Sequence, residues 1–253
     1  MSTTTAGAGL NLLPFARVEQ PLPTVNGRPV RALVPQDFLG PLNAYEIRNA
    51  PKTIYAAGDT SLLKVGRRVS VVGSRKAAPA DLDRARDLVR ELVSHCVTVV
   101  SGLAAGIDTI AHETALGMDG ATIAVLGTPL DQTYPKSNTE LQERIIASNL
   151  AISQYPFGSA VRRENFVLRN RTMALICDAT IVVTASESSG TQHQGWEAIR
   201  LGRPLFFLES LVEEDVSWIS EQMRYGGEPL GDENLDLFFE HLPERGAVDR
   251  FAF

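Results

Sequence analysis

Short apolar runs alternate along the chain with segments in which apolar residues recur every three or four positions. The runs are rich in β-branched residues and end at glycine or small polar residues, which is typical of strands buried on both faces of a parallel sheet. The segments between them have the spacing of amphipathic helices. The pattern predicts strands at 69–72, 97–100, 122–126, 151–153, 180–183 and 204–208, and helices at 81–93, 107–116, 139–148, 170–176 and 195–201.

This alternation predicts an α/β fold: a Rossmann-like, doubly wound, mostly parallel sheet with helices on both faces. We expect residues 33–208 to form this domain, with 51–59 as an edge element that leads into it. Residues 1–32 combine a small-residue tract with several prolines and predict a flexible leader. Residues 209–253 predict an acidic tail with at most a short helix or two. Ligands of such folds gather at the carboxyl ends of the strands.

The composition excludes two classes of protein. A chain of 253 residues with 44% hydrophobic content is not disordered throughout. Its apolar runs are far shorter than the roughly 20 residues that cross a bilayer, and its N-terminus has no signal pattern, so we expect a cytoplasmic protein. Cys96 and Cys177 lack metal-type spacing and are expected to be buried free thiols.

The net charge of −6 is distributed unevenly. Residues 209–253 carry a net charge of −9, and residues 1–208 carry a net charge of +3. The main part of the chain is therefore mildly basic, which is compatible with a phosphate-binding patch.

Gly73, Ser74 and Arg75 stand where the strand at 69–72 ends and the chain turns toward a helix. Glycine lets the backbone approach a ligand closely, serine offers a hydroxyl, and the guanidinium of arginine binds phosphate in a bidentate manner. We interpret this turn as a nucleotide or nucleic-acid site.

A second strand exit predicts an anion cradle from Ser101, Gly102 and Gly106, because amides at a helix start carry partial positive charge. Asp108 could cap that helix. An ordinary capped turn is the alternative, and His112 is better read as a structural histidine than as a chemical group. Another strand exit, residues 184–192, predicts a further anion site or a plain capped turn, with the candidate residues Ser189, Gly190 and Thr191.

Residues 162–171 form the most basic stretch of the chain. Phe166 could stack on a base while Arg169 and Arg171 hold phosphates, as single-stranded nucleic acid requires. Asn170 could bond a base edge or cap a following helix. A solvated basic loop is the alternative. Lys136, one of only four lysines, lies on the loop after the strand at 122–126 and is a candidate contact at the rim.

No arrangement of catalytic or metal-binding residues follows from the spacing. The motifs together resemble the DNA-processing protein A family (DprA, also called Smf). The resemblance spans roughly residues 50–208, and the matching stretches are residues 73–75, 101–108, 124–127, 134–138, 153–156, 166–171, 189–191 and 202–203.

The resemblance implies a Rossmann-like domain that binds single-stranded DNA without catalysis or cofactor, usually as a homodimer, and hands the DNA to a recombinase during DNA uptake, recombination or repair. It points to five DNA contacts, Arg75, Lys136, Phe166, Arg169 and Arg171. The chain departs from the family pattern at Thr184 and at residues 192–195, and residues 209–253 show no basic winged helix.

Two alternatives stay open. The wider superfamily includes nucleotide-binding sensors and phosphoribohydrolase-like enzymes, but Gln194 stands at the place of their glutamate and cannot act as a general base. The acidic segment after residue 208 could instead cover the basic cleft or dock on a partner, in which case truncation after Leu208 would strengthen DNA binding.

Overall fold

A single ten-stranded sheet forms the centre of the molecule in the computed structural model, which describes residues 23–187, 189–214 and 216–242. Seven neighbouring strands are parallel, and three antiparallel strands extend the sheet at one side. The strands are β1 (Thr24–Val25), β2 (Arg28–Leu33), β3 (Ile54–Gly58), β4 (Arg68–Val72), β5 (Thr98–Ser101), β6 (Thr122–Leu126), β7 (Leu150–Ser153), β8 (Ala179–Val182), β9 (Leu205–Leu208) and β10 (Gly227–Leu230).

Helices cover both faces of the sheet, which confirms the predicted Rossmann-like α/β class. The central strands β4 to β8 are buried along their whole length, as their continuous apolar pattern predicts. The helices are α1 (Gln36–Leu39), α2 (Ala44–Asn49), α3 (Pro79–Ser94), α4 (Ile107–Gly117), α5 (Thr139–Ser148), α6 (Arg163–Ile176), α7 (Thr191–Arg200), α8 (Glu209–Val212), α9 (Ser217–Arg224) and α10 (Leu235–His241).

The strand order determines where a ligand can bind. It runs β1-β2-β3-β7-β6-β5-β4-β8-β9-β10, so the chain proceeds from β4 toward β7 on one side and then crosses to β8 on the other side of β4. The loops that leave β4 and β8 therefore diverge at this point. A crevice between diverging loops at the carboxyl ends of parallel strands is the preferred ligand site of doubly wound folds.

The folded part begins earlier than predicted. The predicted leader includes β1 and most of β2, and β2 pairs with β3 from Val30 to Leu33. The predicted edge element is also wrong, because β3 pairs with β2 on one side and β7 on the other. Each of the first two strands is short and has only one buried residue, so the local pattern does not distinguish it from a loop. Residues 1–22 of the predicted leader lie outside the described residues.

The folded part also continues beyond the predicted boundary at residue 208. Strand β10 extends the parallel sheet beside β9 and is followed by α10, whose Phe238 and Phe239 are buried. Trp218 and Ile219 of α9 are buried in the same way. The acidic residues of this region obscure the few apolar positions that hold it to the core.

Helix α6 begins at Arg163, seven residues before its predicted start, so the basic stretch is helical and not a loop. Cys177 is buried as expected, but Cys96 is exposed because it follows the end of α3 in a turn with a φ of 56°. The two cysteines of the chain do not form a disulfide bond. No helix among the described residues is long and apolar enough to cross a membrane.

Candidate nucleic-acid interface

A cleft of about 550 Å³ lies at the point where the loops after β4 and β8 diverge. Its walls are the exits of these strands, the start of α4, one face of α6 and the start of α7. The lining residues include nine of the fourteen predicted site residues: Gly73, Ser74, Arg75, Phe166, Arg169, Asn170, Ser189, Gly190 and Thr191. The structure therefore brings most of the predicted site together at one edge of the sheet.

Arg75 and Phe166 stand together at the mouth of the cleft. The Arg75 guanidinium carbon lies 6.0 Å from the centroid of the Phe166 ring, and Arg75 is exposed. The neighbouring Lys76 is also exposed and donates its backbone N–H to Ser74 Oγ over 3.1 Å. Two exposed cations and a partly exposed aromatic ring thus lie together at one place.

One face of helix α6 forms a wall of the cleft. Phe166, Arg169, Asn170 and Met173 are separated by three and four positions, and all line the cleft. Asn170 lies inside this helix, so the predicted alternative of a cap does not apply.

Arg171 lies on another face of the same helix and lines neither of the two cavities described here. Its Nε donates to Glu197 Oε2 over 2.8 Å, and its Nη1 donates to Asn49 Oδ1 over 3.1 Å. The partner Glu197 raises the pKa of Arg171. The expected placement of Arg171 beside the cleft is therefore wrong: this side chain ties α6 to α7 and α2.

Arg169 forms the floor of the cleft and is 5% exposed. Its Nη1 donates to the Val125 carbonyl over 2.9 Å, while its Nε has no hydrogen-bond partner among the described residues. Burial lowers the pKa of Arg169 and raises the pKa of the neighbouring Asp108, and the attraction between the two charges opposes both shifts. An arginine stays protonated under such conditions, so a buried positive charge lies beneath the cleft.

The predicted anion cradle at residues 101–106 is wrong. Asp108 Oδ2 accepts the backbone N–H groups of Gly102 and Ala104, each over 3.2 Å, and Ser101 Oγ donates to the Val71 carbonyl over 2.7 Å. A carboxylate of the protein itself thus occupies the place that an external anion would take. Local spacing indicates a helix cap for Asp108, whereas in the structure its carboxylate bonds to the loop amides of Gly102 and Ala104.

The glycines at these turns allow neighbouring side chains and backbone to approach the loops closely. A side chain at Gly102 would overlap the guanidinium of Arg169, and one at Gly106 would overlap the Ser74 carbonyl. Gly106 also has a φ of +80°, which a residue with a side chain rarely adopts. A side chain at Gly73 would overlap Ile107, so packing already requires a glycine here, and Gly73 also lines the cleft.

The loop after β8 brings hydroxyl groups to the cleft but offers few free amides. Ser189 Oγ lies 2.6 Å from Thr191 Oγ1 and accepts the Thr191 N–H over 3.2 Å. The next two amides of α7 bond to the carbonyls of Ser189 and Gly190. We conclude that the cations Arg75, Lys76 and Arg169 provide the positive charge of the site, rather than the helix start.

A smaller cavity of about 90 Å³ adjoins the cleft. Arg75, Phe166 and Arg169 line both cavities, and Tyr134 lines only the smaller one. The Tyr134 and Phe166 ring centroids are 5.2 Å apart, and Tyr134 is 53% exposed. Tyr134 lies in the matching stretch 134–138 but is not among the predicted site residues. Lys136 is exposed two residues further along and lines neither cavity.

His112 does not line either cavity, in agreement with the structural interpretation. It is fully buried, and its Nδ1 lies 2.7 Å from Thr122 Oγ1. Burial lowers the pKa of His112 to about 3, so the ring is neutral at pH 7. Within the described ranges, no three histidine, cysteine, aspartate or glutamate residues are grouped to hold a metal ion.

The family model described as DNA recombination-mediator protein A matches residues 32–225. The DNA processing protein DprA of Streptococcus pneumoniae is 37% identical over 177 residues, which cover 70% of this chain and 62% of that protein. Protein Smf of Synechocystis is 38% identical over 179 residues, covering 70% of this chain and 45% of that protein. The chain thus spans about half to two thirds of the length of these relatives.

Among solved structures, the chain is similar to DNA processing protein A from Helicobacter pylori, whose structure is described for its single-stranded DNA binding mode. The two share 26% sequence identity with a TM-score of 0.71, and the match covers 86% of this chain and 97% of that one.

Proposed function

Because this chain belongs to the DNA recombination-mediator protein A family, we propose that it binds single-stranded DNA along the carboxyl edge of its parallel sheet. The binding serves DNA uptake, recombination or repair and involves no chemical reaction on the DNA. The single-stranded DNA binding of the Helicobacter pylori relative supports this proposal.

The observation that carries the proposal is the arrangement of Arg75, Phe166 and Arg169. An exposed guanidinium lies over an aromatic ring at the mouth of the cleft, and a buried guanidinium lies at its floor. Single-stranded DNA needs cations for its backbone and aromatic faces for its bases, and this arrangement supplies both. Cationic side chains that neutralise phosphates release the counterions of the DNA, so the affinity for DNA falls steeply as the salt concentration rises.

The cleft lining gives less support to a phosphoribohydrolase-like enzyme. Asp108 is the carboxylate among the described lining residues, and its Oδ2 is held by two loop amides beside Arg169. Gln194 stands where a glutamate would be needed, and Glu197 is bound to Arg171. Release of free base from nucleoside monophosphates by the purified protein would restore this alternative.

The proposal includes two features of assembly that only the resemblance supports. A homodimer would present two clefts to one strand, and a recombinase would receive the DNA from them. Light scattering of the purified chain tests the first feature. Co-purification with a recombinase in the presence and absence of single-stranded DNA tests the second.

The decisive experiment measures binding of single-stranded DNA, duplex DNA and a nucleotide panel over a series of salt concentrations. We expect Arg75→Ala to weaken binding of single-stranded DNA and to lower the slope of log K against log salt by about one. The matched control is Arg90→Ala, which removes an exposed arginine of α3 that is paired with Asp87. No binding of single-stranded DNA at low salt would contradict the proposal.

Arg169→Ala gives a less direct test. It removes the positive charge beside the buried Asp108 and the hydrogen bond to the Val125 carbonyl, so we expect the folded protein to be destabilised as well. Its effect on DNA binding therefore needs a thermal unfolding measurement beside it.

A further inference from the structure

One histidine lines the cleft from the start of α7. His193 is exposed and belongs to residues 192–195, where the chain departs from the family pattern. Resting on the proposed function, we propose that His193 is a further DNA contact, which binds a phosphate of the strand in its protonated form. DNA binding by this chain therefore strengthens as the pH falls.

The two sides of the cleft differ in charge. The lining residues after β4 and on α6 include the permanent cations Arg75, Lys76 and Arg169. Among the described lining residues after β8 and on α7, His193 is the one with a titratable side chain, and the others are Ser186, Ser189, Gly190, Thr191 and Gln194. Protonation of His193 thus places positive charge on both sides of the cleft.

The ring of His193 is available to a ligand. The backbone N–H of this residue donates to the Gly190 carbonyl over 3.2 Å, which fixes it in the first turn of α7. Its ring has no hydrogen bond, ion pair or aromatic contact with any other described residue. The imidazole ring is the ordinary side chain whose charge changes between about pH 5 and 8.

The other three histidines of the chain lie outside the cleft lining. His112 is buried, and its pKa is about 3. His95 stacks on Phe239 at the end of α3, and His241 is exposed on α10. A histidine that changes the charge of the cleft in this pH range is therefore His193.

A bound phosphate links the proton to the DNA. The imidazolium donates a charge-assisted hydrogen bond to a phosphate oxygen, and the neutral ring has no charge to attract it. The DNA and the proton therefore bind cooperatively, and each strengthens the binding of the other. A strand along the cleft presents several phosphates, so Arg75 and His193 can contact different ones.

Charged groups of several elements surround the start of α7. They are Arg75 and Lys76 after β4, Asp108 of α4, Arg169 and Arg171 of α6, Glu187 after β8, Glu197 of α7, and Glu221 with Arg224 of α9. Asp108 is the carboxylate among the described lining residues, and burial raises its pKa. Loss of its negative charge in acid would also strengthen DNA binding, so the test has to separate Asp108 from His193.

The test measures binding of oligothymidylate to the full chain at about pH 5.5 and about pH 8, over a series of salt concentrations. Thymine has no group that titrates in this range. We expect binding to be about tenfold tighter at the lower pH, because a charge-assisted hydrogen bond is gained. The slope of log K against log salt should steepen by about one, since one more phosphate is neutralised.

Two substitutions assign the effect to the ring. His193→Gln should bind at both pH values as the unaltered protein binds at the higher one. His193→Lys is charged at both pH values, so it should bind at the higher pH about as tightly as the unaltered protein does at the lower one. The matched control is His241→Lys, which adds the same charge on α10 and should leave the affinity nearly unchanged.

The outcomes separate this inference from the proposed function. If His193→Gln keeps the pH dependence of the unaltered protein, Asp108 or another group carries it, and the inference is overturned while the DNA-binding function stands. Equal affinities of His193→Lys and His241→Lys at the higher pH would overturn it as well. If the unaltered protein binds no DNA at low salt at either pH, the proposed function itself fails. Thermal unfolding at both pH values checks that the variants are folded, as expected for an exposed position.

Discussion

At the residue scale, arginines of one basic stretch have different roles because the helix places them differently. Arg163 is exposed, Arg169 is buried beneath the cleft, and Arg171 is paired with Glu197. The placement of a carboxylate also decides its role, since Asp108 accepts hydrogen bonds from two amides of the preceding loop. A charged residue in a motif is therefore a candidate contact only after its partners within the protein are known.

His112 leads to a prediction for the pH dependence of stability. Its pKa is about 3 in the folded protein and about 6.5 in an unfolded chain. The unfolded state thus binds the extra proton between these values, and the contribution of His112 to stability is complete above pH 6.5 and is lost as the pH falls toward 3. We expect this group to add a slope of at most about 1.4 kcal/mol per pH unit.

Denaturant unfolding at several pH values between 6.5 and 4 measures this slope. His112→Gln should reduce this slope by at most about 1.4 kcal/mol per pH unit, which is the contribution of one proton. The substitution also lowers the stability at neutral pH. The control His241→Gln changes an exposed ring of α10 and should keep the slope of the unaltered protein. An equal slope in His112→Gln and the unaltered protein would contradict the prediction.

At the scale of elements, the C-terminal segment belongs to the fold rather than to a tail. Strand β10 pairs with β9, and the aromatic side chains of α10 pack beneath it onto the core that also contains β4 and β8. Truncation after Leu208 would remove these elements. It is therefore expected to destabilise the domain, and it is not a clean test of whether acidic residues compete with DNA.

Helix α10 offers a matched pair of substitutions that tests this role. Phe239 is 4% exposed, stacks on His95 at 3.8 Å and contacts Phe238. We expect Phe239→Ala to lower the free energy of unfolding by about 3–5 kcal/mol. Leu237→Ala, at a position that is 53% exposed on the same helix, should change it by less than about 1 kcal/mol. Urea unfolding measures both, and similar small losses would show that α10 is dispensable.

At the scale of the whole molecule, opposite charges lie along the edge of the sheet that carries the cleft. Arg75, Lys76 and Arg169 surround the crevice between β4 and β8, whereas the chain after β9 is acidic. Glu213 and Glu214 follow α8 and are exposed. The acidic residues after β9 repel a DNA strand that is bound to these cations. We therefore expect the DNA to run from the cleft toward Tyr134 and away from β9.

Neutralisation of this acidic pair tests the effect of the charge without loss of an element. We expect Glu213→Gln combined with Glu214→Gln to strengthen binding of single-stranded DNA severalfold at low salt. The gain should disappear at high salt, where charges are screened within about 3–10 Å.

The control is Glu91→Gln combined with Asp119→Asn, which removes the same charge at the opposite edge of the sheet, near the ends of α3 and α4. An equal gain in both double variants would indicate an effect of net charge alone and would contradict the proposed path.

The sequence by itself determined the class of the fold, because burial of both faces of a parallel strand requires a continuous apolar run that is visible locally. The predicted bounds of β6 and α5 coincide with the structure, and those of α3 and α4 differ by one or two residues. The sequence also located the loops that line the cleft, since the carboxyl ends of parallel strands share one edge.

Only the tertiary structure decided which polar groups of these loops are available to a ligand. Asp108 occupies the predicted cradle, Arg171 is bound to Glu197, and Gln194 has an acceptor without a partner among the described residues. Such pairings join residues that are far apart in the chain, and local spacing carries no information about them. The same reason explains the missed strands β1, β2 and β10, whose stability comes from their neighbours in the sheet rather than from their own pattern.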